Sequence, residues 1–203
     1  MARYTGPRVR ISRRFGVPIF GPSKYLERRN YGPGVHGPKS RRKHTDYALG
    51  LIEKQKLRYY YGLMERQFRG VYERAFKRRG VTGEQMLQIL ESRLDNVVFH
   101  LGFANTRAGA RQMVCHGHVK VNGRRVTIPS MRIKMGDVLE VRQKSKELPV
   151  LLEAIQLAER DVPDYVETDH KGMTAKLTRV PGLSDVPYPV QMEPNLVVEY
   201  YSR

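Results

Sequence analysis

The chain reads as an α+β protein. A helical domain is followed by a small module of two short helices packed on a small, mostly antiparallel sheet, behind an extended basic N-terminal arm. Three observations predict this. Apolar residues recur at helical spacing from about residue 46 to residue 114. The period then changes to strict alternation on either side of Asn122-Gly123, a favoured hairpin turn. Before residue 46, Gly and Pro hold 11 of 45 positions, including Gly6-Pro7, Gly21-Pro22, Gly32-Pro33-Gly34 and Gly37-Pro38. Proline lacks the N–H and glycine costs backbone entropy, so no long helix is expected there.

The arm, residues 1–45, is expected to be non-regular, a tail that is either solvated or ordered by a polyanion. Its aromatics, Tyr4, Phe15, Phe20, Tyr25 and Tyr31, argue against a purely solvated tail. They either stack on bases or anchor the arm to the protein body. The first helix of the domain can be capped by Thr45 or Asp46, with Leu49, Ile52 and Tyr60 among its buried positions, and Gly62 breaks it. Phe68, Val71, Tyr72, Ala75 and Phe76 then form one stripe, closed by Gly80. Thr82-Gly83-Glu84-Gln85 is a capping-box pattern opening a third helix through Met86, Leu87 and Leu90.

From Ser92 onward the pattern is the most specific in the chain. Leu94, Val97, Val98 and Leu101 make a helical stripe ending at Gly102, and Thr106 can cap a second helix burying Ala110, Met113 and Val114. Val119 and Val121 lead into the hairpin, Val126 and Ile128 follow it, and Gly136-Asp137 turns the chain into Val138 to Val141. Cys115 is expected to be a small buried residue. Residues 147–180 include one more helix, with Val150, Ala154, Leu157 and Ala158 apolar.

The charge is strongly uneven. The whole chain has 37 Lys and Arg against 20 Asp and Glu, net +17. Residues 1–45 carry +11, 46–79 carry +5, 80–146 carry +6 and 147–203 carry −5. A body this basic is suited to a polyanion, which should meet the first three segments. No run of 18 apolar residues spans a bilayer, and no apolar segment follows the N-terminal arginines to make a signal peptide. The single cysteine fits a reducing, cytoplasmic location.

Cations off the helical stripes (Lys54, Lys56, Arg58, Arg66, Arg69 and Arg74) are candidates for phosphate contact. In the module, Arg107 and Arg111 lie four apart and share a helix face. The two helices and the hairpin bring them near His116, Lys120, Arg124 and Arg125. Paired guanidinium groups beside a basic hairpin suit a curved phosphate backbone.

The run RLDNVVFHLGFANTRAGARQMVCHGHVKVNGRRV resembles the RNA-binding module named after the fourth small-subunit ribosomal protein, a module also found in some RNA-modifying enzymes. The start MARYTGPRVRISRR, PGVHG at 33–37, TDYALGLIEKQKLRYYYGLMERQFR from 45, GVTG at 80–83 and the close LVVEYYSR extend the likeness over essentially the whole chain. The sequence is thus identified as a member of that bacterial ribosomal-protein family.

The resemblance implies a structural constituent of the small ribosomal subunit, not an enzyme. It would bind the 5′ domain of small-subunit rRNA early, nucleate assembly, and help to line the channel by which messenger RNA (mRNA) enters. It would contact the fifth and third small-subunit proteins, affect decoding fidelity, and in some bacteria repress its own operon. Basic residues Arg3, Arg8, Arg10, Arg13 and Arg14, with Lys39, Arg41, Arg42 and Lys43, join the expected RNA-binding set. The family pattern also implies domains at 46–91, completed by 183–203 with a C-terminal strand over Leu196 to Tyr201. The module would occupy 92–182, with its core at 92–142 and an acidic extension facing a basic protein neighbour.

Many relatives hold zinc through four N-terminal cysteines. Here Val9 and Ser12 stand at the first pair, so no metal and no cofactor is expected. A stand-alone RNA-modifying enzyme would need a second catalytic fold and a motif such as a P-loop or G-x-S-x-G, and the chain has neither. A DNA-binding reading explains the charge but not the Gly/Pro-rich arm.

Overall fold

The structure is a computed structural model describing residues 4–39, 43–157, 163–170, 172–182, 185–189 and 191–202. Among these, the helices are α1 (Arg8–Phe15), α2 (Lys24–Arg28), α3 (Asp46–Tyr60), α4 (Glu65–Phe76), α5 (Thr82–Glu91), α6 (Leu94–His100), α7 (Arg107–Cys115), α8 (Pro149–Leu157) and α9 (Pro194–Ser202). The strands are β1 (Val119–Val121), β2 (Arg124–Arg125), β3 (Val138–Val141), β4 (Val166–Asp169) and β5 (Thr174–Leu177). Two compact units result, one of residues 1–86 with 188–203 and one of residues 87–187, the division falling within α5.

In the first unit the arm is more regular than its composition suggested. Its glycines and prolines punctuate the chain without preventing two short helices. Gly16, with φ +69°, ends α1 in the left-handed conformation that glycine adopts without a Cβ penalty. Three arm aromatics surround one ring: Tyr4, Phe15 and Phe20 lie 5.3, 6.3 and 6.4 Å from Tyr59. Anchoring is therefore their role, and Tyr25 and Tyr31 stay exposed. Thr45, rather than Asp46, caps α3 by accepting from Ala48 N.

The buried face of α3 is Gly50, Lys54, Leu57 and Tyr60, so Leu49, expected inside, is exposed. Phe76 is likewise two-thirds exposed at the end of its stripe, whereas Phe68, Val71 and Ala75 are buried. The expected strand at Leu196 to Tyr201 is instead helix α9. Its β-branched and aromatic residues favour a strand locally. Pro194 sits at the first helical turn, and α9 packs along α3, where Gly50 lets Tyr200 Cβ approach its Cα. Tertiary packing overrides propensity.

In the second unit, α6 and α7 pack on a five-stranded antiparallel sheet in the order β2-β1-β3-β5-β4. Leu94, Val97, Val98, Leu101, Ala110 and Val114 meet Val119, Val121, Leu139, Val141, Ala175 and Leu177 in one core. Each such large side chain contributes roughly 1.5–3 kcal/mol when withdrawn from water. Asn122 (φ +50°) and Gly123 (φ +76°) form the expected hairpin turn. The second hairpin strand is shorter than expected: β2 is Arg124–Arg125 alone, and Ile128 is exposed.

Residues 166–177 add β4 and β5, a pair not expected from the sequence. In α8 the buried face is Leu151 and Ala154, whereas Val150 and Leu157 are exposed; Ala158 lies outside the described residues. Cys115 is exposed, not buried, because it is the last residue of α7, one position past the core contact of Val114.

Candidate nucleic-acid interface

The alternating pattern of β1 buries Val119 and Val121 and leaves Lys120 half-buried, its Nζ 3.1 Å from Glu140 on β3. The turn then presents Arg124 and Arg125, both exposed. Gly117, at φ +74°, bounds this rim: a Cβ there would collide with the Arg125 guanidinium. Arg125 Nη2 donates to the carbonyl of His116 at 3.1 Å, which ties the hairpin to the end of α7. His116 is exposed, its ring 5.9 Å from that of His118, and His118 Nδ1 lies 2.9 Å from Ser145 Oγ.

The electrostatics of this rim are cationic. Burial, then the charges of His116, Arg125 and Arg142, hold the His118 pKa below its ordinary value. Arg142 was missed by the sequence reading. It joins the group because β1 pairs with β3 in the register Val119 opposite Val141, and Arg142 N donates to His118 O at 2.8 Å. That pairing was invisible to local pattern.

The two arginines of α7 do not share one role. Arg107 is half-buried, donating from Nε to Asn96 Oδ1 at 3.0 Å, with its guanidinium 4.2 Å over the Phe99 ring. Arg111, expected at the surface, is buried, with Nη1 4.0 Å from Asp95 Oδ2. Asp95 also takes both hydrogen bonds of a buried Arg93, at 3.0 and 2.7 Å. Residues four apart on a helix are not superposed but rotated by about 40°. That offset turns Arg111 toward the acid.

In the first unit the predicted cations also divide. Lys54 is buried, with Nζ 2.9 Å from both oxygens of Glu65, which removes it from a phosphate-facing surface. Lys56 pairs with Glu53 at 2.5 Å, and Arg58 bonds Gln55 and lies 4.3 Å over Tyr59; both side chains are largely covered. Their aliphatic stems pack while the charged ends take partners within α3 and, for Arg58, also Glu65 of α4 at 3.7 Å. Arg66 and Arg69 are exposed, the latter 3.2 Å from Glu73.

In the arm, Arg8, Arg10, Arg14, Lys39 and Lys43 are exposed. Arg13 is partly buried, bonded to the carbonyls of Tyr31 and Gly32 and 4.9 Å from the Tyr31 ring centre. Arg3, Arg41 and Arg42 lie outside the described residues. Arg28 and Arg29, exposed on and after α2, extend the cationic arm and were missed.

The described residues hold no group of three or more His, Cys, Asp or Glu placed for a metal ion. Val9 is exposed and Ser12 buried, and neither residue type supplies a thiolate. No helix among the described residues is long and apolar enough to cross a membrane.

Two helices on an antiparallel sheet, edged by a cationic hairpin, make an RNA-binding module. Residues 92–139 match the S4 domain, and residues 3–91 match the family described as the ribosomal protein S4/S9 N-terminal domain. The small ribosomal subunit proteins uS4 of Brucella ovis, Brucella melitensis and Chelativorans sp. (strain BNC1) are each 56% identical over 205 residues, covering 100% of both chains. The chain belongs to the uS4 family of small ribosomal subunit proteins, structural constituents of the ribosome rather than enzymes.

Proposed function

We propose that the chain binds the 5′ domain of small-subunit rRNA as a primary assembly protein. The observation that carries this is the rim of the second unit: Arg124 and Arg125 are exposed on β2 just after the Asn122-Gly123 turn, Arg125 is bonded back to the His116 carbonyl, and burial followed by the neighbouring cationic charges holds the His118 pKa down. Exposed guanidinium groups at a sheet edge suit phosphates of a folded RNA, whose shape and backbone are more accessible than its base edges. Lys120 on β1 and Arg107 at the start of α7 join this set, and Arg8, Arg10, Arg14, Lys39, Lys43, Arg66 and Arg69 are exposed cations of the first unit.

By the same reading, Lys39 and Lys43 bracket the segment facing messenger RNA near its point of entry into the subunit. The acidic stretch after residue 146 meets the basic fifth small-subunit protein, and the third is a neighbour. Repression of the chain's own operon, which the family shows in some bacteria, and a cytoplasmic location belong to the same proposal.

The test is binding of purified protein to a transcript of the small-subunit rRNA 5′ domain across a salt series, with duplex DNA and an unrelated structured RNA as competitors. Binding that resists both competitors supports the proposal. Equal displacement by both would reduce the protein to a generic polycation, and preference for duplex DNA would overturn the RNA reading.

A further inference from the structure

Between α5 and α7 of the second unit lies a line of buried polar groups that the surface reading does not use. Glu91 is 1% exposed, Asn96 3% and Tyr165 1%. Glu91 Oε2 accepts from Asn96 Nδ2 at 2.6 Å and from Tyr165 OH at 3.1 Å, and His100 Nε2 lies 3.1 Å from the same oxygen. On its other side, Asn96 Oδ1 accepts from Arg107 Nε at 3.0 Å.

We infer that Glu91 and Asn96 are positioning residues for Arg107, setting its guanidinium for RNA. The inference rests on the proposed role of Arg107 at the interface. An asparagine amide has two faces, one a donor and one an acceptor, and can flip between them. Here the flanking groups remove that freedom. An ionised carboxylate only accepts, so it captures the NH2 end, and a guanidinium only donates, so it needs the oxygen end. The Glu91 carboxylate thereby dictates that Asn96 offers oxygen to Arg107.

Tyr165, from the segment just before β4, donates to the carboxylate, and His100, from α6, lies beside it. Phe99 supplies a face 4.2 Å from the guanidinium. A guanidinium carries five donors in a fixed fork, so the bond from Nε to Asn96 fixes the direction of the whole group. An arginine ordered in advance loses less rotamer freedom on binding. The two buried side chains thus act on affinity without touching RNA.

The experiment is a double-mutant cycle in the full chain, read as affinity and salt slope for the 5′-domain transcript. Arg107→Ala should cost roughly tenfold in affinity, as one charge-assisted hydrogen bond does. It should also flatten the salt slope by about 0.7 to 0.9, one phosphate's share. Asn96→Ala should lose affinity in the same direction, and the double variant should be no weaker than Arg107→Ala alone.

Because Asn96→Ala disturbs a buried acid, Glu91→Gln serves as the second variant. It keeps an acceptor but no longer dictates the amide's orientation, and its loss should also vanish in the Arg107→Ala background. Additive losses overturn the positioning role, since a merely structural effect does not depend on Arg107. Weakening by Arg107→Ala with none from either buried variant overturns it too and leaves the interface reading intact. An Arg107→Ala variant with unchanged affinity and slope overturns both.

Discussion

Lys54 holds its ammonium 2.9 Å from both carboxylate oxygens of Glu65, joining α3 to α4 beneath the C-terminal helix. The rings of Tyr200 and Tyr201 on α9 cover it at 5.1 and 5.8 Å, and Tyr201 OH donates to Glu65 Oε1 at 2.7 Å. A cation that sequence pattern assigns to the surface is thereby the post on which α9 docks. Burial and the neighbouring Glu65 carboxylate raise the Tyr201 pKa, so its hydroxyl stays a donor at ordinary pH.

Removing that post should loosen the first unit without altering RNA electrostatics. Lys54→Ala is expected to cost about 1–2 kcal/mol, less than a fully buried pair because the Glu65 side chain is 48% exposed. Denaturant unfolding measures the loss, and the salt slope of transcript binding should match wild type. A flattened slope would return Lys54 to the interface.

Glu65 should make the protein acid-sensitive. Burial alone would raise its pKa, but hydrogen bonds from Lys54 and Tyr201 and the charges of Lys54 and Arg58 bring it below its ordinary 4.5. A carboxylate depressed in the folded state stabilises fully above its unfolded pKa and loses that contribution as pH falls through the folded value. The stability advantage of wild type over Glu65→Gln should therefore be constant near neutrality and shrink below pH 4.5. A gap independent of pH down to about 3 would refute the assignment.

The hairpin arginines should carry counterion release. Replacing Arg124 and Arg125 together with Gln is expected to lower the salt slope by about 1.4 to 1.8, two phosphates' worth. Stability should fall by no more than about 1 kcal/mol, since both side chains are exposed and only the Arg125 bond to the His116 carbonyl is lost. Arg111→Met is the contrast: its guanidinium lies 4.0 Å from Asp95 in a buried setting, so melting temperature should drop while the slope holds.

Gly123 tests the turn itself. At φ +76°, with nothing within 4 Å of an added Cβ, Gly123→Ala meets only backbone strain. The expected cost is about 1 kcal/mol by equilibrium unfolding. Asn122 at φ +50° already tolerates the left-handed region, as asparagine does. An alanine variant as stable as wild type would mean that the turn had changed type.

Local chemistry determined much of this protein. Helix starts at Thr45 and Thr106, the stripe Leu94-Val97-Val98-Leu101 and the Asn122-Gly123 turn were all legible, because caps, periodicity and turn geometry act within a few residues. The basic rim at His116, Arg124 and Arg125 was legible for the same reason, as each lies on or beside such an element. The family was legible too, since matching motifs recur along the whole chain.

What only the tertiary structure decided depends on partners far away in the chain. The segment ending in Tyr201 is a helix because α3 lies alongside it, 136 residues separating Tyr201 from the Glu65 it bonds. Lys54 and Arg111 are inside because Glu65 and Asp95 wait there, and Arg142 joins the rim through the pairing of β1 with β3. A lysine or arginine has the same local signature exposed or paired. Only the placement of an opposite charge by the whole fold separates a phosphate ligand from a buried strut.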